Sequence, residues 1–224
     1  PTTNLNSVVT GSSRFVAVGD SGKIITSTDG ATWTDQTSGV ATNLNSITNS
    51  GTGVLMAVGD SGVILHANTL GTTWTQNNAG SAATMAGGVS TANLVSVSYI
   101  PSLSLYFVVG GGIVSRGVLG SFNYVIPANY TMTGLTNTAS TLVAYGDTNL
   151  HMTSTNGLTW DNNVVPRSPG AGYVYAYSSS LGIMVAVGAG GSVLSSSDGI
   201  TWNTRTSGVT DDLVDVVYGP SGFL

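Results

Sequence analysis

The sequence predicts an all-β protein made of repeated four-stranded antiparallel sheets, and three observations carry that prediction. A motif recurs about every forty residues, strand-length apolar runs are punctuated by Gly, Asp, Asn and Ser, and the composition is poor in the charged residues that helices favour. Charged residues make up 7% of the 224 positions; every acidic residue is Asp, Glu is absent, and Lys23 is the sole lysine. Surface helices draw heavily on Glu and Lys, so this chain has little material for long helices.

The period shows when the chain is cut before its closing aromatic residues. Residues 15–33 read FVAVGDSGKIITSTDGATW, 55–74 LMAVGDSGVILHANTLGTTW, 142–160 LVAYGDTNLHMTSTNGLTW and 184–202 MVAVGAGGSVLSSSDGITW; 106–124 give the degenerate YFVVGGGIVSRGVLGSFNY. The closing residues are Trp33, Trp74, Phe122, Trp160 and Trp202. Five units follow, at about 4–42, 43–91, 92–131, 132–171 and 172–211, with a partial sixth at 212–224.

In the first unit four strands are expected, at 5–9 (LNSVV), 14–18 (RFVAV), 23–27 (KIITS) and 32–36 (TWTDQ). Gly19-Asp20-Ser21-Gly22 separates the second from the third, because Gly and Asp tolerate the positive φ of a tight hairpin. Ser27-Thr28-Asp29-Gly30 separates the third from the fourth, and there a Ser or Asp side chain can bond the backbone N–H groups of its own turn. One such sheet cannot bury its apolar second strand unaided, so neighbouring units must stack face to face. A single β-propeller domain over 1–224 answers that need, with Phe15, Leu55, Tyr106, Leu142 and Met184 expected at equivalent buried sites.

STDGATW (27–33), SSDGITW (196–202) and STNGLTW (154–160) resemble the Asp-box, or BNR repeat, of sialidase-like propellers in a form one residue shorter. The AVGxxG before them is similar to the repeat of the photosystem assembly factor propellers and of phage and bacterial surface propellers. The resemblance spans nearly the whole chain. It implies a structural Asp-box role for Ser27, Asp29, Trp33, Trp74, Ser154, Trp160, Ser196, Asp198 and Trp202. ANTLGTTW (67–74) lacks the Asp and GVLGSFNY (117–124) lacks both Asp and Trp.

Function is narrowed mostly by exclusion. Without cysteine there is neither disulfide nor thiolate metal site. A net charge of -5 opposes phosphate binding, which excludes nucleic acid as a partner. No apolar run reaches membrane-span length, and no leader-like start is visible. The sialidase resemblance implies a Tyr nucleophile assisted by Glu, and this chain has no Glu. His66 and His151 fall in neighbouring third-strand slots without a third ligand. The expectation is therefore a non-catalytic binding or structural module, with a sialidase-like glycosidase and an assembly-factor scaffold as alternatives.

Candidate ligand residues lie in turns and connections. Asp20, Asp60 and Asp147 share the first turn position after the second strand, so their carboxylates could hold Ca²⁺ or a cationic ligand; the alternative is that each satisfies its own turn, leaving no cofactor. Two long connections, 76–91 and 165–172 with Arg167, are expected on the same face. Tyr173, Tyr175 and Tyr177 alternate along one strand and so share one side, suited either to stacking on a sugar or to filling a sheet interface. Surface-like Ser, Thr, Asn and Gly suggest an extracellular or virion-surface setting such as a phage tail or fibre, with a glycan, a protein ligand or neighbouring subunits as partner and an oligomer as one arrangement.

The end of the chain repeats its beginning. LVDVVYGPSGF (213–223) matches LNSVVTGSSRF (5–15) at a constant offset of 208. The sequence thus stops inside a sixth unit, either because the chain is a portion of a longer protein or because another chain completes the half-blade.

Overall fold

The computed structural model describes residues 3–68, 70–76, 92–119, 121–127, 132–138, 141–146, 151–162 and 173–224. They form two compact units, Pro1–Asn129 and Tyr130–Leu224. The first unit carries three four-stranded antiparallel sheets in meander order. The first sheet is β1 (Leu5–Thr10), β2 (Phe15–Gly19), β3 (Ile24–Ser27) and β4 (Thr34–Gln36); the second is β5 (Leu44–Asn49), β6 (Val54–Gly59), β7 (Ile64–Asn68) and β8 (Trp74–Gln76); the third is β9 (Leu94–Ile100), β10 (Leu105–Gly110), β11 (Ile113–Val118) and β12 (Ser121–Pro127).

The second unit repeats the plan twice, in β13 (Met132–Asn137), β14 (Leu142–Gly146), β15 (His151–Ser154) and β16 (Asp161–Asn162), then in β17 (Val174–Ser178), β18 (Ile183–Gly188), β19 (Ser192–Ser196) and β20 (Asn203–Arg205). A two-stranded hairpin follows, β21 (Tyr218–Gly219) and β22 (Gly222–Phe223).

The strand register recurs from sheet to sheet. Ile25 faces Asp35, Leu65 faces Gln76, Ser115 faces Tyr124, Met152 faces Asn162 and Leu194 faces Thr204 across the third and fourth strands. These are one position of the repeat in five copies. Phe122 therefore takes the slot of the missing Trp, facing Gly117 as Trp74 faces Ala67. The extra residue of the second unit is absorbed in its turn, where the Asn68 side-chain oxygen accepts from Leu70 N–H and its carbonyl from Gly71 N–H.

The sheets pack through one recurring set of positions. Val16, Val18 and Ile24 of the first sheet are buried with Leu44, Ile47, Leu55 and Ala57 of the second. One repeat on, Met56, Val58 and Ile64 are buried with Leu94, Val97, Tyr106 and Val108. In the second unit Val143 is buried with Tyr175, Met184, Ala186 and Trp202. Each of these three junctions joins the trailing face of one sheet to the leading face of the next, and apolar burial there holds otherwise marginal sheets together. Gly71 and Gly199, at equivalent turn positions, lie so close to the preceding sheet that a Cβ would stand 2.9 Å from Val16 Cγ2 and Val143 Cγ2 respectively.

Four of the five expected equivalent sites, Leu55, Tyr106, Leu142 and Met184, are buried, but Phe15 is 37% exposed. It belongs to the leading face of the first repeat, and it packs only partly, against Trp33 at 6.4 Å. The terminal half-repeat reproduces the beginning: Tyr218 pairs with Phe223 as Thr10 pairs with Phe15, and Val217 and Leu224 exchange two backbone hydrogen bonds in the place of Val9 and Val16.

Candidate functional site

The Asp-box turns are self-contained. Asp29 Oδ1 accepts from Ala31 N–H (2.8 Å), Thr32 N–H (2.7 Å) and the Ser27 hydroxyl (2.9 Å), while Ser27 Oγ accepts from Gly30 N–H (2.9 Å). Ser196 and Asp198 repeat the pattern on Gly199, Ile200 and Thr201. Asn156 does so in the fourth unit, where its Oδ1 takes Leu158 and Thr159 N–H and Ser154 Oγ takes Gly157 N–H. The amide suffices because the motif needs an acceptor and not a charge. The ring N–H of Trp33 and Trp74 returns to the carbonyls of Gly30 and Gly71. Trp202 is buried and Trp160 half-buried, so these aromatics share a register but not an environment.

Hydrogen bonds from Thr32, Ala31 and Ser27 hold the Asp29 carboxyl down at about 2, against an ordinary 3.8. In Asp198 burial pushes the pKa up, but the N–H groups of Thr201 and Ile200 with the Ser196 hydroxyl outweigh it and the net shift is downward. A carboxyl depressed by folding contributes stability that is full above its unfolded pKa and is lost as pH falls through the folded value. Acid titration of stability between pH 4 and 2 should therefore be shallower in Asp29→Asn than in the parent. Equal slopes in urea melts across that window would show that the turn does not hold the carboxylate.

Asp20 and Asp60 are positioned by a feature not anticipated from the sequence. Asn4 and Asn6 amides donate to Asp20 Oδ2 (2.9 Å) and Oδ1 (3.0 Å), and Asn43 and Asn45 do the same for Asp60 at 3.1 and 2.9 Å. The bulge between Leu5 and Ser7, repeated between Leu44 and Ser46, turns Asn6 and Asn45 out of the ladder, and each also donates to the next sheet, at Leu44 O and Leu94 O. The next first strand reciprocates: Asn43, Asn93 and Asp212 accept from the turn N–H groups of Ser21, Ser61 and Gly190.

For Asp20 and Asp60 the expectation that the Asp satisfies its own turn is thus corrected in its partner, since the turns close by backbone, Lys23 N–H to Asp20 O and Val63 N–H to Asp60 O, and the carboxylates clamp the first strands. The signal was present as NLNS at 4–7 and 43–46. Among the described residues no three His, Cys, Asp or Glu side chains gather as a metal group. Asp60→Ala should cost about 1–3 kcal/mol by stranding two amides, and a melt unchanged from the parent would refute the clamp.

Tyr173 and Tyr175 lie in a packed aromatic cluster. Tyr175 faces Ala186, the position of Ile47 and Val97 in earlier junctions, and it is 8% exposed, 4.1 Å from the Tyr145 ring and edge-on to Trp202 at 5.7 Å. Burial, with Tyr145 and Tyr173 nearby, pushes its phenol upward, and burial moves Tyr145 up to about 12. Tyr173 is half-buried, its hydroxyl 2.6 Å from Ser192 Oγ. The shared side of the strand is the sheet interface, which corrects the reading of Tyr175 as a ligand residue. Asp147, Arg167 and most of the 76–91 and 165–172 connections lie outside the described residues.

A polar pocket opens in the first sheet, lined by Arg14, Thr26, Ser27, Thr28, Thr32, Thr34 and Gln36. Gln36 donates to Thr26 Oγ1 (3.1 Å), and Lys23 is drawn away by Asp35 at 2.6 Å. Arg14 Nε is buried without a hydrogen-bond partner. A guanidinium beside threonine hydroxyls is chemistry suited to a carboxylate or another oxygen-rich group. In the sequence Arg14 is one of four arginines, with Arg116, Arg167 and Arg205, that fall at different positions of their repeats, and nothing there suggested that they converge on a site.

Meander sheets stacked through a recurring face define a β-propeller, and comparison places the chain in that class. Residues 1–100 match the DUF6242 beta propeller domain family. The solved structure described as "YCF48 bound to D1 peptide" is similar over 96% of this chain and 72% of that one, with 18% identity and a TM-score of 0.67. No curated protein matches.

Proposed function

We propose that this protein is a non-catalytic propeller that holds a segment of another protein during assembly of a larger structure. The observation that carries the reading is the shared fold, over 96% of the chain, with a propeller solved in complex with a peptide. The pocket around Arg14 supplies a cation and hydroxyl groups to which a peptide carboxylate can bind. An extracellular or virion-surface assembly fits the low-charge, Ser/Thr/Asn-rich composition.

Selection from a random-sequence peptide library, followed by fluorescence anisotropy on the enriched peptides, tests the proposal. Carboxylate-bearing peptides should be enriched, and Arg14→Gln should weaken them at least tenfold with an unchanged melt. No enriched peptide, or selective binding on a glycan array instead, would overturn it.

A further inference from the structure

The polar pocket of the first repeat is built on a frame that recurs on the third and fourth strands of other repeats. Thr26 and Thr34 face each other across β3 and β4, and Gln36 lies two residues along on the same side. Ser195 and Asn203 face each other in the same way across β19 and β20, with Arg205 in the place of Gln36. One hydrogen bond is common to both copies: Gln36 Nε2 donates to Thr26 Oγ1 at 3.1 Å, and Arg205 Nε donates to Ser195 Oγ at 2.7 Å. The first repeat thus takes its guanidinium from the second strand, at Arg14. The fifth has Ile183 at that position and takes its guanidinium from the fourth strand.

We propose that the fifth repeat carries a second carboxylate-binding site, with Arg205 as its cation and Ser195 as the residue that positions it; the ligand class rests on the carboxylate chemistry assigned above to the Arg14 pocket. Ser195 is 8% exposed, so it is a fixed anchor, whereas Arg205 itself is exposed. With Nε engaged by that anchor, the Nη donors remain for a bidentate carboxylate, and a guanidinium already held loses less freedom when a ligand arrives. The Asn203 amide stands beside Ser195 as a neutral donor. Among the described residues no carboxylate lies within ion-pair reach of Arg14 or Arg205. The fourth repeat sets the contrast: Asp161 faces Thr153 at the place of Thr34 and Asn203, and Thr141 stands at the place of Arg14, so the same frame there is acidic and repels an anion.

The chain has few arginines, which permits a direct test, since the Nε–H resonances of isotope-labelled protein can be assigned by single substitutions. Sodium acetate is the probe and sodium chloride at equal ionic strength the control. The Arg205 resonance should shift saturably with acetate and not with chloride, and the Arg14 resonance should do so independently. Ser195→Ala should weaken the response at Arg205 several-fold and leave that at Arg14 unchanged. Asn203→Asp, at an exposed position, should keep the parent circular dichroism and abolish the response at Arg205 by recreating the acidic frame of the fourth repeat.

An Arg205 resonance that moves equally in chloride would overturn the second site, and so would an acetate response that survives both substitutions. If Arg14 still responds in those cases, the peptide-holding reading of the first repeat stands. Silence at both arginines would overturn the second site and the carboxylate chemistry of the Arg14 pocket together.

Discussion

Gly22→Ala is expected to unfold the first repeat more severely than any other single-methyl addition to it, costing roughly 3–5 kcal/mol and lowering the melting temperature by about 10 °C. Two causes add. Gly22 has φ of +71°, where a side chain costs about 1–2 kcal/mol. A Cβ there would also lie 2.0 Å from Val40 O and 2.9 Å from Ser38 Oγ, and that carbonyl is already fixed by the Ser38 hydroxyl at 3.1 Å. Gly191 meets Val209 O at the same 2.0 Å, so Gly191→Ala should behave alike in the fifth repeat. Gly39→Ala separates the causes: its φ is +80° but nothing lies within 4 Å of an added Cβ. It should lose only the conformational part, about 1–2 kcal/mol in urea unfolding. Losses of equal size at Gly22 and Gly39 would show that the close approach of the two backbones is unimportant.

Tyr175→Ala should cost about 3–5 kcal/mol, the range for removing a large buried aromatic side chain. The ring joins Tyr145, Trp202, Val143 and Met184 in one cluster, so its loss opens a cavity between two sheets rather than baring a surface. Near-ultraviolet circular dichroism from the ring cluster should weaken and the urea midpoint should fall together. A variant that melts like the parent but loses a ligand would return Tyr175 to a binding role. The same cluster explains why the alternation of Tyr173, Tyr175 and Tyr177 was ambiguous from sequence. Period two tells which residues share a side, and whether that side meets water or another sheet depends on the neighbour.

Much of the local structure was legible. The Asp-box strings announced hydrogen bonds that Ser27, Asp29, Ser196 and Asp198 make within their own turns, because every partner lies within three residues. The NLNS clamp was not read, although it was written twice, since Asn4 and Asp20 meet only when the first two strands pair over a bulge. Arg14 was invisible for a related reason: its surroundings come from residues 26–36, brought back to it by two hairpins.

The division between what the sequence by itself determined and what the tertiary structure decided follows the reach of the interactions. Strand order, turn chemistry, the place of Phe122 as a stand-in for Trp and the 208-residue echo between the ends are properties of single repeats, and short-range pattern is enough to specify them. Which face of a repeat is covered is not local. Leu5 and Leu44 occupy the same position in the same motif, yet one is half exposed and the other wholly buried. Burial is conferred by the sheet packed alongside, so only the stacked structure could show which copy of a repeat position is covered.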